Sequence, residues 1–189
     1  MGKDQNYLKA KGRFWSRIRS TIFLLPAWFA PHKSLRVLFH RLRGVDIGRN
    51  VEIGYFCIIG NVHPHMIHIE DNVIVTARTT ILEHDNSHYY TSGGEVRFGD
   101  VYIRERAFLG IGVVVLPNVE IGSHTIIGAL SLVTTSIPSH CVAAGIPARI
   151  IENRKLPQFF QRKRDENKTD NRSIVNQIPS TKSHLISES

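Results

Sequence analysis

The sequence predicts an all-β solenoid, in which short parallel strands coil around one axis, and three observations support this fold class. Aliphatic residues recur every six positions without a slip from Ile103 to Val133. The same spacing runs earlier, from Ile47 to Ile59 and from Ile69 to Ile81. Glycine follows many of these repeat residues, at points where the backbone of a coil is expected to turn. Such regular repeats are typical of solenoids, in which each repeat contacts only its neighbours.

The period indicates the shape of the coil. Six residues fit neither the period of about 3.6 residues of an α-helix nor simple alternation along a strand. They fit a triangular coil with three six-residue sides, each a short strand and a turn, with stacked coils about 4.8 Å apart. A β-sandwich would instead show strict alternation and irregular turn spacing. Small or aliphatic residues two positions before each repeat residue complete the predicted core: Ala107, Val113, Val119, Thr125 and Ser131.

Two segments break the repeat and are candidate functional loops. The segment "NVHPHMIH" lengthens the spacing between Ile59 and Ile69 to ten residues. The second, an excursion loop at residues 84–100 within "ILEHDNSHYYTSGGEVRFGD", has no six-residue repeat and contains histidines, tyrosines and acids. The solenoid that carries both loops is predicted to span residues 43–151.

The N-terminal segment, residues 1–42, is predicted to be helical and is strongly basic. Residues 1–50 hold 11 Lys/Arg and two Asp, a net charge of +9, so the rest of a chain with net charge +8 carries −1. The apolar run "TIFLLPAWFAP" is shorter than the roughly 20 residues that span a bilayer. Two interpretations stay open: a basic amphipathic segment on an anionic membrane surface, or a helical cap that packs on the solenoid. No recognised motif supports nucleic-acid binding.

The C-terminal segment, residues 152–189, is polar and rich in Asn, Ser and Lys. It is predicted to form a short helix near "LPQFFQRKR" followed by a disordered tail. Cys57 and Cys141 are too few for a disulfide framework, which favours two buried thiols and a reducing, cytoplasmic compartment.

The stretch "IRERAFLGIGVVVLPNVEIGSHTIIGALSLVTTSIPSHCVAAGIPARII" resembles the C-terminal part of the hexapeptide-repeat acyltransferases, a family of left-handed parallel β-helices. It is most similar to the branch of maltose, galactoside and exopolysaccharide O-acetyltransferases, and "AAGIPARII" matches the usual ending of that branch. The resemblance covers residues 43–151. It implies acetyl-coenzyme A as the donor, a hydroxyl or amine acceptor, and a homotrimer with active sites in clefts between neighbouring helices.

The resemblance also implies a single histidine as general base, and the matching residue is His84. A neutral imidazole can take the proton of a sugar hydroxyl as that hydroxyl attacks a thioester. His88 is the competing candidate and a candidate acceptor contact. At most one of Glu83 and Asp85, the neighbours of His84 in sequence, is expected to orient its ring. Asn61 is a candidate to hydrogen-bond an acceptor hydroxyl.

Coenzyme A contacts follow from the match to the family. The expected residues lie at coil turns, in "LVTTSIP" and in "GIPARII"; they are Gly110, Ile111, Gly128, Ala129, Thr134, Thr135 and Arg149. The chain departs from the family where Ile111 replaces a small polar residue and Phe108 replaces a tryptophan, so any contact at Ile111 is a backbone contact.

No metal is expected. His84 and His88 are spaced as H-x3-H, whereas the metal-binding carbonic anhydrases of this fold use H-x4-H with a third histidine upstream. Tyr89 and Tyr90 are expected either to stack on a sugar or to pack against a neighbouring subunit.

The predicted function is therefore an acetyl-CoA-dependent O-acetyltransferase that modifies a sugar hydroxyl of a cell-surface polysaccharide or its precursor. We expect it in the cytoplasm, at the inner face of the membrane if the basic segment binds lipid. Two alternatives stay open from the sequence: an N-acyltransferase acting on an amino sugar, and a β-helix scaffold whose site has degenerated.

Overall fold

Three parallel sheets wrap the chain into a triangular prism, as shown by a computed structural model that describes residue 18 and residues 20–153. Among these residues, helices α1 (Leu24–Phe29) and α2 (Lys33–Arg43) precede the prism, and a 3-10 helix (Pro64–Met66) and α3 (Ser87–Ser92) interrupt it. The strands of the first two coils are β1 (Asp46–Ile47), β2 (Glu52–Ile53), β3 (Ile58–Ile59), β4 (Ile67–Ile69), β5 (Ile74–Val75) and β6 (Thr80–Ile81). The excursion loop holds β7 (His84–Asp85) and β8 (Arg97–Phe98). The remaining strands are β9 (Val101–Ile103), β10 (Phe108–Leu109), β11 (Val114–Val115), β12 (Glu120–Ile121), β13 (Ile126–Ile127), β14 (Leu132–Val133), β15 (Cys141–Gly145) and β16 (Ala148–Asn153).

Each side of the prism is one sheet. Sheet A has the order β1-β4-β9-β12, sheet B the order β2-β5-β10-β13-β15-β16, and sheet C the order β3-β6-β11-β14. All neighbours within these sheets are parallel except β15 and β16, which form an antiparallel pair at the end of sheet B. Strands β7 and β8 form a separate antiparallel ribbon that projects between the second and third coils.

The repeat residues fill the interior, as the sequence predicts. Ile103, Leu109, Val115, Ile121, Ile127 and Val133 have no exposed surface, and Ala107, Val113, Val119, Thr125 and Ser131 are at most 2% exposed. Cys57 and Cys141 are also buried, and burial raises the pKa of the Cys57 thiol to about 11. The solenoid prediction is confirmed.

Glycine was expected after the repeat residues because the backbone turns there. This reason was wrong at most of these positions, because the glycine does not have a positive φ. The corner residues with positive φ are mainly not glycine; they are Asn50, Phe56, Asn72, Arg78, Arg106, Asn118, His124, Leu130 and His140. The glycine after the repeat residue is instead required because the next coil passes very close. A Cβ atom on Gly122 would lie 2.4 Å from the backbone nitrogen of Ser139, and one on Gly110 would lie 2.6 Å from that of Ala129.

Helix α2 closes the open end of the prism. In the stacked coils, backbone N–H groups of one coil donate to carbonyls of the next, as in Gly48 to Ile69 (2.7 Å). The equivalent carbonyls of the first coil have no earlier coil to serve as donor. Three arginines supply the missing donors: Arg41 to Ile47 (3.2 Å), Arg36 to Ile53 (2.7 Å) and Arg43 to Ile59 (3.0 Å). The sequence left capping and membrane contact open, and the structure shows capping by α2.

The described residues all lie within one compact unit of the chain. The predicted C-terminal helix and tail, and most of the basic segment before residue 20, lie outside the described residues. Within the described part of the chain, no helix has the length and apolar character needed to cross a bilayer.

We expect the Arg36→Met variant to lower the free energy of unfolding by about 2–3 kcal/mol, because it leaves the buried carbonyls of Ile53 and Ala30 without a charged donor. Urea denaturation at one fixed protein concentration would measure this loss. Arg49→Met is the matched control, since Arg49 is an exposed arginine paired with Asp71, and exposed pairs add little. Equal stability of wild type and Arg36→Met would show that the cap does not stabilise the prism.

Candidate active site

His84 lies where the chain leaves sheet C for the excursion loop. It opens β7, three residues after the last residue of β6, and pairs across the ribbon with Phe98. Its side chain is 19% exposed, so the imidazole is recessed but reachable. The rigid second coil therefore holds the predicted base at the rim of the prism.

A buried carboxylate lies against the inner nitrogen of this imidazole. Nδ1 of His84 lies 3.3 Å from Oε1 of Glu83, although the two groups are not aligned for a hydrogen bond. Glu83 is fully buried. Burial alone would raise the pKa of its carboxyl, but the N–H groups of His63 and Val62, which donate to Oε1 at 2.9 and 2.7 Å, outweigh that effect and lower it. Glu83 is therefore ionised beside the histidine.

The loop that binds Glu83 is held from its other side by Arg43. The guanidinium donates to the Gly60 carbonyl (2.9 Å) and to Oδ1 of Asn61 (3.3 Å), and its Nε donates to the Ser20 carbonyl (3.0 Å). Arg43 is 1% exposed, and burial lowers its pKa to about 10 although the charge of Glu83 acts in the opposite direction. Asn61, the predicted acceptor contact, thus has its side-chain oxygen occupied by Arg43.

Asp85 and His88 belong to the excursion loop rather than to the buried cluster. Oδ1 of Asp85 accepts the N–H of Ser87 (2.8 Å) at the start of α3. His88 is exposed on α3, with Nδ1 3.4 Å from the hydroxyl of Ser92. Of the two acids that flank His84 in sequence, only Glu83 is in contact with its ring in this structure.

The structure adds an aromatic group that sequence reasoning did not single out. The Phe98 ring is about half exposed and lies 6.0 Å from the His84 ring and 5.1 Å from the His63 ring, between centroids. His63 in turn lies 5.6 Å from His65. The position of Phe98 opposite His84 depends on the return strand of the ribbon, β8, and no local sequence pattern marks that strand.

Tyr89 and Tyr90 are exposed and pack edge to face on each other.

The predicted coenzyme A residues divide between the two edges of sheet C. Thr134 and Thr135 follow β14, on the same edge as His84 and two coils further along, at about 4.8 Å per coil. Gly110, Ile111, Gly128 and Ala129 follow strands of sheet B, at the opposite edge, and Arg149 pairs there with Ala144. We call these the His84 edge and the glycine edge.

The glycine edge is also apolar. Ile111, Leu130 and Ile146 follow one another along it in successive coils, each with at least 49% of its surface exposed. Exposed large apolar side chains in a row are typical of a contact surface.

No group of three or more His, Cys, Asp or Glu side chains with metal-binding geometry occurs among the residues that the structure describes. His68, from the histidine-rich segment, lies instead on sheet A, with Nδ1 3.1 Å from Asp46 and its ring stacked on Tyr102 at 4.6 Å. It borders a groove of about 540 Å³ that does not include His84.

Comparison with known proteins identifies the repeat. Residues 100–135 match the family model "Bacterial transferase hexapeptide (six repeats)". The chain is 34% identical over 127 residues to the galactoside O-acetyltransferase of Escherichia coli (strain K12). It is a homologue of the hexapeptide-repeat acyltransferases. The alignment covers 66% of this hexapeptide-repeat chain and 60% of that relative, so the chain spans less than two thirds of the relative's length.

Two solved structures share the fold of this hexapeptide-repeat chain. The maltose O-acetyltransferase from Clostridium difficile 630 superposes with a TM-score of 0.60 at 22% identity, covering 78% of this chain and 89% of that one. A galactoside acetyltransferase in complex with coenzyme A superposes with a TM-score of 0.57 at 24% identity, covering 76% and 83%. The predicted left-handed β-helix is confirmed.

His40 gives this hexapeptide-repeat chain a testable pH dependence. Burial, and then the charge of Arg43, lowers the pKa of His40 from 6.5 to about 3. Between these values the unfolded chain binds a proton that the folded chain does not, so stability falls as the pH drops below about 6.5. We expect His40 to cost about 2 kcal/mol at about pH 5, measured by urea denaturation across pH.

The His40→Gln variant should flatten this slope, because glutamine keeps an acceptor for Arg43 and does not titrate. His65→Gln, which changes an exposed histidine, serves as the control for the loss of an imidazole. An unchanged slope in His40→Gln would assign the acid sensitivity to other groups.

Proposed function

We propose that the chain is an acetyl-CoA-dependent O-acetyltransferase acting on a sugar hydroxyl, with His84 as the general base. The observation that carries this proposal is the recessed imidazole of His84 with its inner nitrogen against the ionised, buried carboxylate of Glu83. This arrangement leaves Nε2 as the nitrogen available to an acceptor. Homology to galactoside and maltose O-acetyltransferases supports the reaction class.

The chemistry follows from that geometry. Nε2 of His84 takes the proton of the acceptor hydroxyl while the oxygen attacks the thioester carbonyl of acetyl-CoA. The tetrahedral intermediate collapses, the carbon–sulfur bond breaks, and the thiolate of coenzyme A takes the proton from the imidazolium. The acetyl ester and coenzyme A are released, and His84 returns to its neutral form. The ionised Glu83 stabilises the imidazolium that exists between the two proton transfers.

A homotrimer would complete the site. Within one copy, His84 and the residues of the glycine edge are separated by a six-residue side of sheet C, a span of up to about 20 Å at 3.3 Å per residue. If the glycine edge of one copy faces the His84 edge of the next, both sets line one cleft, and such head-to-tail contacts close into a ring. The apolar residues Ile111, Leu130 and Ile146 would then be covered. A monomer in light scattering at micromolar concentration would contradict this arrangement.

The acceptor is a glycan of the cell surface or its lipid-linked precursor, and the N-terminal helices bring the enzyme to the membrane that carries it. Ile22, Leu25 and Phe29 form one exposed apolar row and Leu35, Leu38 and Leu42 another, each at helical spacing. Residues 1–50 carry a net charge of +9. Basic segments with exposed apolar rows bind anionic lipid surfaces. We place the protein in the cytoplasm, at the inner face of the membrane.

We expect acetyl transfer by the purified protein to depend on His84. With acetyl-CoA and a panel of methyl β-galactoside, maltose and capsular oligosaccharides, coenzyme A release should fall at least about 100-fold in His84→Ala, because the general base is lost. His88→Ala is the matched control and should keep activity within a few-fold. Full activity in His84→Ala would refute the assignment of the base.

Two other outcomes of this assay would change the proposal. Acetylated amino sugars as the sole products would assign the chain to the N-acyltransferases. Calorimetric binding of acetyl-CoA without transfer to any acceptor of the panel would support a degenerate scaffold.

We expect the protein to sediment with vesicles that contain phosphatidylglycerol and not with vesicles of phosphatidylcholine alone, with binding that weakens as salt is added. Replacing Leu25 and Phe29 by serine should reduce the bound fraction several-fold, because both side chains are about 60% exposed on α1. The paired control replaces Tyr89 and Tyr90, which are exposed on α3, by serine and should leave the bound fraction unchanged. Equal binding to neutral vesicles, or self-association through these rows, would count against the membrane role.

A further inference from the structure

The buried side-chain nitrogen and oxygen atoms that lack a hydrogen-bond partner belong to the proposed base and to residues linked to it. Among residues 18 and 20–153, they are Nε2 of His40, Oε2 of Glu83 and Nδ1 of His84. Nearly all buried polar atoms in native proteins are paired, so unpaired ones call for a functional explanation. Here all three belong to a single chain of contacts that runs from helix α2 to His84.

Glu83 has the position and charge to select one tautomer of His84. Its Oε1 already accepts two backbone N–H groups, and its Oε2 has no donor. An ionised carboxylate can only accept a hydrogen bond. A favourable contact between Oε1 of Glu83 and Nδ1 of His84, which are 3.3 Å apart, therefore requires Nδ1 to carry the proton. In that tautomer Nε2 has a free lone pair, which is the form that a general base requires.

Arg43 and Glu83 bind neighbouring residues of the same short loop. Arg43 donates to the Gly60 carbonyl and the Asn61 side chain, and the next two residues, Val62 and His63, donate their N–H groups to Glu83. No ion pair joins Arg43 and Glu83 directly in the described structure, so the arginine acts through the loop and through its charge.

We propose that Glu83 is a positioning residue that holds His84 as the Nδ1–H tautomer, and that Arg43 of the capping helix positions Glu83 through residues 60–63. The inference rests on the proposed role of His84 as the base. It assigns helix α2 two tasks: its arginines cap the first coil, and one of them also supports the active site.

The Glu83→Gln variant tests the first half. The glutamine oxygen can take the place of Oε1 and still accept the N–H groups of Val62 and His63. The negative charge that favours Nδ1–H is then lost, so His84 should return to the Nε2–H tautomer that a histidine side chain prefers without a charged neighbour. Long-range ¹H–¹⁵N NMR near pH 8.5, where neutral imidazoles predominate, should show His84 protonated at Nδ1 in wild type and at Nε2 in the variant. The same tautomer in both proteins would overturn the proposal.

Kinetics give the second readout. With the most active acceptor of the panel, kcat of Glu83→Gln should fall by about 10³-fold or more while KM for acetyl-CoA changes less than about three-fold, since a carboxylate-to-amide change beside a catalytic histidine leaves binding intact. A tautomer switch in a protein that shows no acetyl transfer would refute the proposed function and leave the positioning role standing. Wild-type kcat in Glu83→Gln would refute the positioning role alone.

The Arg43→Lys variant tests whether Arg43 positions Glu83 through residues 60–63. It also keeps the proposal testable if Glu83→Gln does not fold. Lysine keeps the charge but cannot donate at once to Gly60, Asn61 and Ser20, so kcat should fall about ten-fold and His84 should show a mixture of tautomers. Arg41→Lys is the matched control, because Arg41 caps the same coil at sheet A, away from His84. Equal effects of the two substitutions would show that Arg43 contributes capping only.

Discussion

The backbone ladder between coils is the interaction on which the rest of this structure depends. Each inner strand bonds to the coil before it and the coil after it, so a coil at either end has backbone carbonyls or N–H groups that no neighbouring coil pairs. The chain resolves this for all three sheets at the first coil and for sheet B at the far end. Arginines of α2 serve the carbonyls of the first coil, and β16 folds back in an antiparallel pair on β15.

The same ladder explains why the candidate site lies where the repeat is interrupted. A regular coil places its side chains either in the core or on a flat face, and neither position forms a recess. The excursion after β6 leaves Glu83 buried at a corner and brings Phe98 back opposite His84. The loop at residues 60–63, the other interruption, supplies the N–H groups that hold Glu83. The two breaks in the repeat therefore build one cluster.

Sequence reasoning succeeded where one residue type has one physical reason to occur. Aliphatic residues at a period of six have to point inward in a triangular coil, so the core from Ile103 to Val133 was predictable. Sequence reasoning gave the wrong cause for the glycines. Close contact with the next coil and a positive φ both favour glycine, and only the three-dimensional structure shows which of the two applies. At Gly122 the close contact decides, while asparagine and other residues take the left-handed corners.

By itself the sequence determined the solenoid, because the period of its aliphatic residues is a local property of the chain. The resemblance of its motifs to a known family singled out His84 as the candidate base. Tertiary structure alone decided the surroundings of that base. Arg43 lies 41 residues before His84, and its link to Glu83 depends on stacking of the first two coils beneath α2. Such contacts arise from the pairing of distant segments, which no local pattern records.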